Sequence, residues 1–305
     1  MNLLIGNLKL ILVSSVFLVS SGETLAAEKI EFDSKSCPSY DREMPNIPRS
    51  QVYKDTPFKP GEEVRYELSY GAFGVHVGYG IMRVDKPLKH SVVSQNKDSQ
   101  TSELRRWHRV FSVEAFTGDW YKAIFRAQDR LRAFSRPWDF GISHFYISED
   151  HDKPFSARTY REKWLDFKHS DCTVFEREQV HHKNQEKKKT HALMPGSVDA
   201  LGAVYRLRTF DFKNQKKTRF VVYTSGQNWW LDAKVIGFPE IETKIGKQKS
   251  VHLKVATSLG EDLEQKGAID IWIATHHPQK PLLKVAGEAK FGEFALDIDR
   301  LTPGK

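Results

Sequence analysis

From Ile269 to Asp299 apolar and polar positions take turns along the chain. Ile269, Ile271 and Ile273 alternate with Asp270 and Trp272; Leu283, Val285 and Gly287 alternate with Lys284 and Ala286; Phe294, Leu296 and Ile298 alternate with Ala295 and Asp297. This two-residue rhythm belongs to strands with one buried face. The proline-bearing stretch 277–281 and the glycine-bearing stretch 290–293 separate the runs, which predicts an antiparallel meander with short turns. The same rhythm predicts strands at 64–70, 107–116, 143–148, 157–167, 174–180, 218–224, 228–236, 240–245 and 251–259. Glycines 74, 78 and 80 interrupt a further apolar run, where they permit tight curvature or close approach of another element.

Two segments carry a helical rhythm instead. Trp120, Ile124, Ala127 and Leu131 recur at helix spacing, and so do Val198, Leu201, Val204, Tyr205 and Leu207, with Ser197 or Asp199 available as a cap. Lys86–Thr101 lacks hydrophobic rhythm and predicts a charged loop, and His181–Thr190, with no apolar residue, predicts a solvated loop or hairpin tip. The expected fold is mainly β: a curved antiparallel sheet forming a half-barrel or barrel, covered by the two amphipathic helices. Such an arrangement buries the one apolar side of the sheet.

The first residues change the compartment in which this fold is placed. Leu10–Val19 is an apolar run preceded by Lys9 and followed by Thr24-Leu25-Ala26, a small-x-small pattern before Ala27, as in a cleaved signal peptide. The expected organisation is a signal peptide at 1–26, an extended arm at 27–60 punctuated by prolines, and a single β-rich domain at 61–301. The expected location is periplasmic or secreted, soluble after cleavage.

Composition then narrows the partners. The formal net charge is +8, and export removes nucleic acid as its counterpart, leaving the phosphates or carboxylates of an envelope lipid or glycan, or another envelope protein. Cys37 and Cys172 are the only cysteines, and an oxidising compartment permits one disulfide between them.

Phe58–Gly71 (FKPGEEVRYELSYG), the segment Val198–Arg208 (VDALGAVYRLR), and Ile271-Trp-Ile followed by Lys280-Pro-Leu-Leu-Lys284 occur in this order. Together they resemble the exported bacterial family known as domain of unknown function 3108, over about Phe58 to Ile298. The resemblance implies a signal-bearing, β-rich envelope protein and brings no catalytic residues with it.

The candidate chemistry is sparse. Adjacent His181-His182 and His276-His277 diverge on a strand, and no His-x-His or Glu-x-x-His spacing accompanies them, so no metal or other cofactor is expected. There is no Gly-x-Ser-x-Gly elbow. Asp139, Glu149 and Asp150 are candidates for paired carboxylates of a hydrolase or lyase acting on an envelope glycan. The favoured reading is a non-enzymatic protein that binds an amphiphilic or anionic envelope molecule or docks an envelope partner. Its expected site places Trp229, Trp230 and Trp272 on one concave face, with Arg206 and Arg208 as cations at the rim.

Overall fold

The computed structural model describes residues 45–71, 73–95, 101–122, 125–153, 156–258, 266–289 and 292–305. The expected signal peptide, the arm up to residue 44 and Cys37 lie outside the described residues. Sixteen strands are present among them: β1 (Glu63–Tyr70), β2 (Val75–Gln95), β3 (Thr101–Thr117), β4 (Arg126–Ser135), β5 (Ile142–Lys153), β6 (Ser156–Lys168), β7 (Thr173–Val180), β8 (Gln185–Ala192), β9 (Val198–Asp199), β10 (Lys217–Thr224), β11 (Gln227–Gly237), β12 (Glu240–Ile241), β13 (Gln248–Ser258), β14 (Lys266–Ala274), β15 (Leu282–Ala289) and β16 (Gly292–Thr302). Fifteen of them follow one path, β8-β7-β6-β5-β4-β3-β2-β1-β16-β15-β14-β13-β11-β10-β9, with β12 beside β13. The path has two ends, so the sheet is large, curved and unclosed.

Directly opposed residues on paired strands share a face. Val84, Phe111 and Ala133 form one such row, and all three are buried on the concave side. The helix α2 (Ala200–Leu207), numbered after a four-residue turn of helix α1 (Asp119–Lys122), packs there. Tyr205 of α2 stacks on Phe111 with ring centres 3.9 Å apart and meets the edge of Phe58 at 5.0 Å. A smaller cluster of Ile142, Leu165, Phe167, Val174, Leu193 and Tyr223 joins β5–β7 to β10. There the flanks of the sheet approach one another: Asn228 Nδ2 donates to the Ala192 carbonyl (3.0 Å), and the Ile142 N–H donates to the Ser197 carbonyl (3.1 Å).

The closing meander forms as its rhythm predicts, with Ile271, Ile273, Val285, Phe294, Leu296 and Ile298 all buried. At Gly78 a Cβ would collide with the Phe116 carbonyl oxygen, so that glycine serves the close approach of β3.

Four expectations are corrected. The first helix does not form: only Asp119–Lys122 is helical, and Arg126–Ser135 is strand β4. The Ala127–Leu131 spacing of four fits both periods, and a buried Asp129 between them hides the alternation. The two segments expected without strand are largely strand, because β2 runs to Gln95 and β8 occupies Gln185–Ala192, and only 181–184 forms the expected hairpin tip, between β7 and β8. In β8 no side chain is buried, and a ladder built from backbone groups leaves no hydrophobic trace. The part of the arm from residue 45 to 60 does not merely lie over the surface, since Val52, Tyr53 and Phe58 belong to the core.

The second helix is shorter than its apolar stripe, beginning after Asp199. Asp199 is its cap: Oδ1 accepts the N–H groups of Leu201 and Gly202, each at 2.9 Å. Burial of this carboxyl raises its pKa to about 6. A folded-state value above the unfolded one means that the folded protein holds the proton more tightly. Stability from this group therefore falls as pH rises from about 4 to 6, by about 3 kcal/mol in all. Asp199→Asn keeps the Oδ1 acceptor without the charge. Urea unfolding at pH 4.5 and pH 7 is expected to show the stability difference between variant and parent shifting towards the variant at pH 7. An identical difference at both pH values would refute the buried-charge account.

Candidate functional site

The aromatic site expected from the sequence does not assemble. Trp229 lies opposite Val222, on the concave side with Leu231 and Ala233, whereas its neighbour Trp230 lies opposite Val221 and turns to the convex side. Trp272 is also convex, because it alternates with buried Ile271 and Ile273; it stacks on His252 with ring centres 4.4 Å apart. Trp230 and Trp272 face Ser258 and His252 on β13, six residues apart, which is about 20 Å along a strand. Arg206 lies over the Phe220 ring at 4.6 Å. Arg208 is buried and paired with Glu62 at 2.8 Å, and it donates from Nε to the Lys280 carbonyl (2.9 Å) and from Nη2 to the Gln279 carbonyl (2.7 Å). A buried carboxylate and two carbonyls have drawn this cation inward, away from any rim.

The carboxylates also stay apart. Asp139 pairs with Arg136 at 2.6 Å in the β4–β5 connection. Glu149 and Asp150 are consecutive on β5, so they point to opposite faces, where Arg161 holds the first and Arg158 the second. Each carboxylate has its own guanidinium partner, and the hydrogen bond from Arg158 holds the Asp150 carboxyl below the usual carboxylate range. Cys172 is buried before β7 and is disulfide-bonded.

A different group of residues converges at the start of the described chain. Arg49, Lys54, Lys59 and Lys305 line a hollow of about 590 Å³ with Ser50, Tyr53, Pro60 and Pro87. The lead is held in place by Tyr53, whose hydroxyl accepts the Val110 N–H (2.7 Å) and lies 3.1 Å from the Asp85 carbonyl oxygen. Lys59 Nζ donates to the carbonyls of Tyr53 (2.8 Å) and Thr56 (3.0 Å), so it knits the turn together while contributing charge. The Lys305 N–H donates to the Pro60 carbonyl at 3.1 Å, which brings the last described residue to the same place. Beside the hollow, the guanidinium of Arg49 and the ammonium of Lys89 lie 5.4 and 5.2 Å from the Trp107 ring. Among the described residues no carboxylate side chain lines the hollow. Four cations without a lining acidic side chain create a positive concavity, which concentrates anions by focusing the field.

Sequence reasoning missed this hollow. Arg49, Lys54 and Lys59 are near neighbours in a proline-punctuated lead, but Pro87 and Lys305 join them only through the fold. The net charge of +8 was the only trace. Elsewhere, His90, His144 and Asp166 are the group of metal-ligating side chains found among the described residues.

No helix of the described residues is long and apolar enough to cross a membrane. No curated protein matches the chain. Among solved structures it is similar to a beta-barrel-like protein of domain of unknown function DUF1849 from Brucella abortus, at 8% identity and a TM-score of 0.50, covering 81% of this chain and 99% of that one. A candidate lipoprotein from Parabacteroides distasonis also matches, at 10% identity and a TM-score of 0.30 over 81% of this chain and 98% of that one. A candidate exported protein with a YmcC-like fold from Bacteroides fragilis has the same coverage, with 8% identity and a TM-score of 0.30. The Brucella abortus protein shares the curved β architecture. Residues 65–299 match the family described as "Protein of unknown function (DUF3108)", and the chain belongs to that family.

Proposed function

We propose that this protein is a non-enzymatic component of the bacterial envelope, exported by its first 26 residues, that binds a phosphate- or carboxylate-bearing envelope molecule in the basic hollow beside β2 and β3. The observation that carries this reading is the convergence of Arg49, Lys54, Lys59 and Lys305 around one concavity with no carboxylate side chain of the described residues in its lining. The lining sets four cationic heads over largely apolar side-chain surface from Tyr53, Pro60, Pro87 and the basic stems, and the apolar interior of the sheet is already filled by α2. A headgroup or an anionic sugar fits this chemistry, and a buried acyl chain does not. Trp107, with Arg49 and Lys89 at its ring, offers a flat apolar face at the margin for a sugar ring or glycerol backbone.

The test is charge removal without disturbance of the lead. Lys59 is left in place for its carbonyl contacts, while Arg49 and Lys54, both exposed, are changed to glutamine. Binding is measured to vesicles containing anionic phospholipid, to zwitterionic vesicles, and to a soluble anionic cell-wall glycan, each at low and high salt. Each cation near an anionic surface contributes about 1 kcal/mol, so the double variant is expected to bind about 30-fold more weakly. The vesicle and glycan arms separate the two sources of the anion. Equal affinity of parent and double variant for both would overturn the assignment.

A further inference from the structure

We propose that His90, His144 and Asp166 form a binding site for a divalent transition-metal ion of the zinc class, which pins the β2–β3 arm to the convex face of the sheet. Their donor atoms lie within 4.8 Å of one another. His144 Nδ1 is 2.7 Å from Asp166 Oδ1, and the His90 ring centre is 4.8 Å from that of His144.

The strand order makes this meeting informative. His144 and Asp166 oppose each other on the adjacent strands β5 and β6, so the ladder accounts for that pair. His90 is on β2, with β3 and β4 between it and β5, so no ladder accounts for its arrival. The pairing of β2 with β3 shifts register between Asp85 and Leu88, and beyond that point the arm touches the convex side through His90 and His108. His90 there packs on Phe134 at 5.2 Å, and buried His108 on β3 meets the Ser143 hydroxyl through Nε2 at 3.0 Å. The arm is thus already docked, and it carries a ligating side chain to the point where two others meet.

The donor set selects the ion. Two imidazoles and one carboxylate suit zinc, cobalt, nickel or copper, whereas magnesium and calcium prefer oxygen ligands. Zinc bonds of about 2.0–2.1 Å place neighbouring ligand atoms of a tetrahedral site about 3.3 Å apart. His144 and Asp166 must open slightly and His90 must close by roughly 1.5 Å, movements that side-chain rotation supplies. The His90 and His144 rings are tilted by 35°, so one ring must turn to aim its lone pair. The Asp166 side chain is 50% exposed, which provides an entry path and leaves the fourth position to water.

The experiment uses the whole exported chain, stripped with a chelator and dialysed. Zn²⁺ binding is measured by calorimetry, and Co²⁺ is added separately to read ligand number and type from its visible spectrum. The parent is expected to take up one Zn²⁺ and to give the spectrum of a four-coordinate nitrogen and oxygen site. Hydrogen exchange across residues 86–108 is expected to slow on Zn²⁺ addition. His90→Gln and Asp166→Asn, both at sites open enough to leave the fold intact, are each expected to weaken binding by more than the roughly 10- to 100-fold that loss of an outer partner costs. His252→Gln removes an unrelated histidine paired with Asp270 and is expected to change nothing. Stoichiometric binding that survives in His90→Gln and Asp166→Asn, or no uptake by the parent, would overturn the site.

Discussion

Replacing Glu62 with alanine is expected to destabilise the protein by about 3–5 kcal/mol, the usual result of stripping one partner from a buried ion pair. Both side chains are essentially inaccessible, at 2% and 0% exposure for Arg208 and Glu62. Arg208 would keep its charge inside the protein with only the carbonyls of Gln279 and Lys280 as compensation. The damage would spread, because this guanidinium ties three parts of the chain together. Glu62 directly precedes β1, Arg208 caps the C-terminal end of α2, and the two carbonyls belong to the β14–β15 connection; the guanidinium also lies 5.0 Å from the rings of Phe58 and Tyr205. Urea unfolding of Glu62→Ala and Arg208→Ala tests the size of the effect. The double variant Glu62→Leu with Arg208→Met removes both charges while keeping volume, and it is expected to be markedly more stable than either single variant. A loss below about 1 kcal/mol in Glu62→Ala would mean that the pair is solvated and weak.

Acidification from pH 6.5 to 4 is expected to destabilise the protein through His108 and His169, with the buried Asp199 carboxyl offsetting about half of the loss. Both imidazoles are buried. Burial is the main cause of their depressed values, about 4 for His108 and about 3 for His169, with the positive charge of Arg136 adding to each. A depressed folded-state value places the stabilising contribution above the unfolded pKa near 6.5, and it drains away as pH falls towards the folded values. Below pH 6.5 the unfolded chain takes up two protons that the folded one refuses, so stability falls by about 2.7 kcal/mol per pH unit. Between pH 6.5 and 4 that amounts to about 5–6 kcal/mol, comparable with the whole stability of an ordinary domain. Denaturant midpoints measured from pH 7.5 to 4 check the slope. In the Asp199→Asn background, which removes the opposing slope of that carboxyl, substitution of either histidine by glutamine is expected to halve it, and an unchanged slope in both variants would defeat the explanation.

How much was legible followed from whether a side chain had to be buried. The closing meander could be read because Ile271, Val285, Leu296 and their partners line one concave face, and α2 because its apolar stripe follows a capping aspartate. Strand β8 left no signal, since backbone pairing with β7 asks nothing of Glu186 or Lys187–Lys189. Strand β4 was misread because Asp129 is buried against His151, at 2.7 Å, where an apolar residue would have exposed the two-residue rhythm. The site was harder still. Trp230 and Trp272 do share a face, but their separation depends on register along β13, which no single strand encodes. Arg208 was placed at a rim because Glu62, its partner, sits 146 positions earlier in the chain. The basic hollow needed the lead, β2 and the far end of the chain to meet.

The pairing of β1 with β16 fixes an order of events during assembly. Every other neighbour in the run from β1 to β8 is consecutive, and the run from β13 to β16 is likewise a succession of hairpins. Each half therefore closes loops of only a few residues and gains its contacts early. The seam between the halves is made by Glu63–Tyr70 against Phe294–Thr302, almost the full span of the fold. A chain that emerges amino end first holds β1 as an exposed edge, with Val64, Tyr66 and Leu68 waiting, until its last strand arrives. Slow synthesis thus lengthens the interval in which that edge can pair with another copy, and it is the arrival of the eleven-residue strand β16 that ends the risk.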